Sequence, residues 1–129
     1  MEPIYEGDPN KKFPPATLID NFSGAKLINH TGNGTKREKW YFEFDKYGFS
    51  VIRDYCLHDR PREYYEKDPL FEVALTVGGR YSHEYHDFDP PSGLTESQVI
   101  KLMTIVINQV KQGKFNKVPS KYNLEKLDY

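Results

Sequence analysis

Two hydrophobic periods divide the chain. From Leu94 to Gly113 apolar side chains recur at the helical spacing: Val99, Met103, Val106 and Val110, with Leu102 beside them and Ile100 and Ile107 widening the stripe. A start signal stands in front of that stripe. Thr95 and Gln98 have capping-box spacing, Leu94 and Val99 the spacing of a hydrophobic staple, and Glu96 falls in the first turn, where the helix dipole favours a carboxylate. Lys111 lies in the last turn and Gly113 is a natural residue to follow the end. The pattern predicts a helix over 95–112, with a stripe wide enough to lie against a sheet.

Upstream the period is two. Trp40, Phe42 and Phe44 alternate with Tyr41, Glu43 and Asp45, which predicts a half-buried strand. Asp45-Lys46-Tyr47-Gly48 reads as a turn with Gly48 supplying the unusual backbone angle, and Phe49 to Tyr55 as the returning strand. Phe71, Val73, Leu75 and Val77 then alternate with Glu72, Ala74 and Thr76 in a third strand. Gly78-Gly79 signals a hairpin, and Arg80 to Tyr85 a fourth strand with Tyr81, His83 and Tyr85 on one face. Asp89-Pro90-Pro91-Ser92-Gly93 ends it. Nearer the start, Leu18, Ile19 and Phe22 are parted from Leu27 and Ile28 by Ser23-Gly24. This predicts two short strands or a bent extended segment, with a short helix from Thr17 as the competing reading.

These elements imply an α+β fold: an antiparallel sheet of four to six strands with one main C-terminal helix packed on one face. Residues 1–16 hold four of the nine prolines and few aliphatics, so they read as an extended arm. Residues 17–118 read as a single domain and 119–129 as a polar tail, with Phe115, Val118, Tyr122 and Leu124 available to pin the lysine-bearing end to the body.

Composition narrows the function classes. The 129 residues suit one domain, and 18 basic against 19 acidic residues leave no global field to attract nucleic acid or an anionic membrane. No run approaches 18 apolar residues, so no spanning helix is expected. Met1 to Tyr5 lacks the basic-then-apolar opening of a secretion signal, and Cys56 has no second cysteine to pair with. Both lead to the expectation of a reducing cytoplasm. Thirteen of the nineteen aromatic residues fall between Trp40 and Phe88, where they would fill the core of a small sheet.

The candidate chemistry is sparse. Thr31-Gly32-Asn33-Gly34-Thr35 precedes Lys36, but the phosphate-loop pattern must lead into a helix and here a strand follows. A hairpin tip is the expectation. His83-Glu84-Tyr85-His86-Asp87-Phe88-Asp89 gathers potential metal ligands, yet on a strand His83 and His86 would face opposite sides. Cys56 and His58 have no flanking nucleophile signature. No catalytic residue, metal site or cofactor is therefore assigned.

The loop 56–69 carries four acidic and three basic residues, with Tyr64 and Tyr65 beside Arg60 and Arg62. Tyrosine next to arginine is typical of contact hot spots, so these four residues are the expected partner-binding set. Tyr81, His83 and Tyr85 are a secondary candidate for a ligand. The leading expectation is a non-catalytic binding protein taking a protein partner or small ligand, with homo-oligomerisation left open. A nucleotide or small-molecule binder is the alternative, and a small enzyme with a His/carboxylate site the second alternative.

One stretch resembles a module of small bacteriophage and prophage proteins, in which a strand, a short hairpin and a proline-bearing bend lead into a terminal helix. Here it comprises Phe71-Glu72-Val73-Ala74, Asp89-Pro90-Pro91 and Leu94-Thr95-Glu96, about a third of the chain over 71–112. The resemblance implies a protein of the host cytoplasm that binds and blocks, or sequesters, a host component. It carries over no functional residue.

Overall fold

The computed structural model describes residues 15–32, 37–54, 71–86 and 89–127. A short helix α1 (Thr17–Asp20) precedes strands β1 (Lys26–Thr31), β2 (Arg37–Phe44), β3 (Tyr47–Asp54), β4 (Glu72–Val77) and β5 (Arg80–Tyr81). A 3-10 turn over His83–Tyr85, the main helix α2 (Glu96–Lys111) and a last helical turn α3 (Lys121–Leu124) complete the order. The described strands form one antiparallel sheet in sequence order, β1-β2-β3-β4-β5, each beside its predecessor. The α+β expectation holds.

Helix α2 begins as its sequence dictates. Thr95 Oγ accepts from the Gln98 N–H at 3.2 Å, and Gln98 Oε1 accepts from the Thr95 N–H at 2.9 Å. Together they satisfy two donors that a helix start otherwise leaves open. Gly113 ends the helix at φ 69°, a conformation that costs a residue with a Cβ more than it costs glycine.

Val99, Leu102, Met103 and Val106 of α2 join Trp40, Phe42, Phe49, Val51, Val73 and Leu75 of the sheet in one cluster, all without solvent contact. Burial on this scale contributes roughly 1.5–3 kcal/mol per large side chain. The alternation of β2, β3 and β4 thus separates an inner face, packed on α2, from an outer one.

Three elements depart from the sequence expectation. Leu18 and Ile19 belong to α1 rather than a strand: adjacent residues cannot both point inward, and the turn buries Ile19 while Leu18 stays 58% exposed. Ile28 is likewise left outside by a bulge in β1 between Leu27 and Asn29. Gly48 is not the turn residue. The loop is Asp45-Lys46, Phe44 pairs with Tyr47, and Asp45 itself takes the positive φ of 55°. Gly48 lies within β3 because Tyr41 crosses its Cα, where a Cβ would overlap the Tyr41 hydroxyl and Thr76 Oγ.

The third departure is β5, which stops at Tyr81. Its ladder on β4 ends after the Thr76–Tyr81 pair and a Ser82 N–H to Leu75 carbonyl bond of 3.2 Å. At that point the side chain of His86 replaces a strand: its Nε2 accepts from the Leu75 N–H at 3.2 Å. Further along, Pro91 O accepts from Val73 N–H at 3.0 Å, and Phe71 and Leu94 exchange backbone bonds of 2.8 and 3.1 Å. The free edge of β4 is closed by a histidine side chain and a proline-rich bend instead of a regular partner, which removes a row of donors open to unwanted pairing.

Gly48→Ala should lower stability by about 1–2 kcal/mol, because Tyr41 must leave Thr76 to make room. In a Tyr41→Ala background the same change should cost clearly less. Urea unfolding of the four proteins reads this cycle, and equal costs in both backgrounds would contradict the contact.

Candidate functional site

Two groupings of polar side chains stand out, one inside the fold and one on its open face. The inner one begins with parity. Glu38 lies two residues before Trp40 on β2, and Arg53 two after Val51 on β3, so both point to the core side. Glu38 has no exposed surface and Arg53 is 1% exposed. One Glu38 oxygen, Oε1, accepts from the Arg53 guanidinium, and the other, Oε2, meets His30 Nε2 at 2.7 Å. His30 reaches Asp20 Oδ1 through Nδ1 at 3.1 Å, and that same oxygen accepts from the Trp40 indole N–H at 2.5 Å. The His30 ring stacks on Trp40, with centroids 4.7 Å apart, and the guanidinium lies over the Phe71 ring at 5.7 Å.

The result is a line of polar side chains, Asp20–His30–Glu38–Arg53, walled by the Trp40 and Phe71 rings. Glu96, at the start of α2, adjoins it. Burial holds the Glu96 carboxyl above its usual range, against a hydrogen bond from the Leu18 backbone and the charge of Arg53. Both His30 nitrogens are engaged by carboxylate oxygens. A general base needs a nitrogen facing a substrate, and this ring has each one turned to a neighbour. The arrangement cross-links α1, β1, β2 and β3 at one end of the sheet.

The outer grouping is built on the sheet face opposite α2. At its centre stand small residues: Gly48 and Ser50 on β3, Ala74 and Thr76 on β4. Tyr41 on β2 and Tyr81 on β5 bank them. Tyr41 leans over Gly48 to bring its hydroxyl 3.2 Å from Thr76 Oγ, and two clefts lie on this face. One cleft is lined by Lys39, Tyr41, Glu43, Ser50, Thr76 and the Gly78-Gly79 turn. The other, of about 760 Å³, lies over Ala74 between Glu72, Tyr81, His83, His86, Asp89 and Pro90.

The secondary ligand candidates divide. Tyr81 and His83 both line this second cleft, while Tyr85 turns to the core side. There Tyr85 stacks on Phe115 at 5.1 Å and meets the edge of Tyr47 at 5.6 Å. Burial, and then the hydrogen bond to Tyr85, push the Tyr47 phenol up to about 12. The shared face expected for Tyr81, His83 and Tyr85 is lost because the chain leaves the extended state at His83. The same bend brings both imidazoles to one tyrosine: His83 meets Tyr81 edge-on at 4.6 Å and His86 stacks on it at 5.2 Å. The opposite-sided placement expected for the two histidines is therefore corrected. His86 Nε2 is committed to Leu75, and among the described residues no three His, Cys, Asp or Glu side chains form a metal-holding group.

Arg60, Arg62, Tyr64 and Tyr65, the expected partner-binding set, lie outside the described residues, as do Cys56 and His58. The proline-rich arm lies outside them except for Pro15 and Ala16. No described helix is long and apolar enough to cross a membrane. Sequence reading overlooked the line from Asp20 to Arg53. The available signal was parity alone, which puts Glu38 and Arg53 on the Trp40 and Val51 faces, while His30 joins them only through its cross-strand pairing with Trp40. No family model, curated protein or solved structure matches the chain.

Arg53→Met should destabilise the protein by about 3–5 kcal/mol, because it leaves the Glu38 charge buried without its guanidinium. Arg53→Met with Glu38→Leu should recover most of that loss. Chemical denaturation decides, and a double variant no more stable than the single one would contradict the account.

His86 supplies a pH prediction. Burial, then the charges of His83 and Lys117, hold its imidazole below the ordinary 6.5. The unfolded chain therefore takes up the proton first, so this contribution to stability is complete above about 6.5 and is lost as pH falls towards the folded-state value. Urea midpoints of the wild type should drop over that window, and His86→Gln should flatten the drop. An unchanged slope in the variant would contradict this role.

Proposed function

We propose that the chain is a non-catalytic binding protein that recognises a protein partner through the open face of its sheet. The observation that carries this reading is the outer face itself: small residues at the centre, tyrosines on both banks, and charged side chains around them. Tyrosine offers a large, rigid contact area with a polar tip at low entropic cost, the combination favoured where proteins meet. The closed line around His30 supports the same reading, since it consumes the imidazole within the fold. Arg60, Arg62, Tyr64 and Tyr65 are kept as expected contact residues on their residue types alone. The likeness of 71–112 to phage proteins that bind a host component points to the same class of function.

A photoreactive amino acid in place of Ser50 should trap a partner from cells of the source organism. The same group in place of Asn108, exposed on α2, should not. Trapping at Ser50 should fall when Tyr81→Ala is added. Equal trapping from both positions, or none from Ser50, would overturn the assignment.

A further inference from the structure

Resting on that reading of the open face, we propose that the cleft over Ala74 receives a basic side chain, lysine or arginine, of the protein partner. Its walls carry the two features that recognise an organic cation. The first is the ring of Tyr81, fixed in place by its stack on His86 and its edge contact with His83. An aromatic ring held in this way offers its π-system to a guanidinium or ammonium group. The second is negative charge: Asp89, exposed at the rim. Its charge is felt at the Tyr81 phenol, whose proton is held more tightly than usual by burial first and then by Asp89, with Glu72 adding to it. Lys117, whose charge reaches His86, donates to the Glu84 carbonyl at 3.0 Å.

A separate observation concerns His86, which is 7% exposed and forms part of the wall. Its Nε2 accepts from Leu75, so in the neutral ring Nδ1 carries the proton and acts as a donor. No described residue accepts from it. A peptide carbonyl beside the basic side chain is the natural acceptor, so the cleft suits a segment of protein more than a bare amine. The cleft is an open trough, which also favours a side chain delivered by a partner surface over a free small molecule.

The test uses the full chain and three capped tripeptides, acetyl-Gly-X-Gly-amide, with X arginine, citrulline or glutamate. Citrulline keeps the shape and removes the charge. In NMR titrations the arginine peptide should move the Tyr81 and His83 ring signals saturably in the millimolar range, and the other two should not. Asp89→Asn should weaken the arginine peptide about threefold to fivefold, in keeping with an exposed ion pair. Tyr81→Leu should weaken it at least as much. Unchanged signals from the α2 core methyls would show that both variants are folded. Equal shifts with citrulline, no saturable shift with arginine, or indifference to Asp89→Asn would each overturn the proposal. If Ser50 still traps a partner while the arginine peptide is silent, only the cation chemistry fails. If both are silent, the open face itself is rejected.

Discussion

One helix of sixteen residues has to supply most of the cover for a five-stranded sheet. A helix of that length spans about 24 Å, and five strands span about 19 Å across. The match is good for one face, and no described element forms a layer on the other. Everything else in the fold follows this inequality. The inner face takes the large residues Trp40, Phe42, Phe49 and Leu75. The outer face takes small and amphipathic ones that can stand in water. Antiparallel sheets tolerate such one-sided solvation, since alternate side chains can serve two different environments.

What could be read from the sequence was whatever depends on near neighbours. The capping box, the helical stripe, the Gly78-Gly79 turn and the alternation of β2 and β4 are local, and they fold as read. What could not be read depends on residues far apart in the chain. Gly48 looks like a turn residue until Tyr41 and Thr76 are brought to it from neighbouring strands. Arg80 to Tyr85 alternates like a strand, yet the partner it needs is claimed by His86, whose ring caps Leu75. Adjacent apolar residues such as Leu18 and Ile19 carry no period, so only packing decides which is buried. Glu38 and Arg53 are the sharper case. Their parity places them inside, but polar character argues for the surface, and the conflict resolves only when each supplies the other's partner.

That inner pair also bears on why the strands keep their register. A slip of one residue between β2 and β3 would put Glu38 or Arg53 on the wrong face and leave a charge buried alone, at a cost of several kcal/mol. An apolar pair would tolerate the slip better. His30 and Asp20 extend the same demand to β1 and α1. The bulge after Leu27 restores the phase that lets His30 lie on Trp40. The polar line thus gives the sheet a specific alignment at the end where the long β3–β4 connection leaves it.

The closed edge of β4 and the cleft on the outer face share one residue. His86 satisfies Leu75 with Nε2 and forms a wall of the cleft with the rest of its ring. Its neutral form is therefore required for the edge and is also the form that offers a donor from Nδ1. A ligand that accepts from that donor binds the folded protein and stabilises the closed edge by mass action. The reverse holds with equal force: any change that opens the edge weakens the cleft, because coupling between two equilibria has no preferred direction. The bend that ends β5 early, read from the sequence as more strand, is thus where the stability of the sheet and the shape of its open face are set by the same side chain.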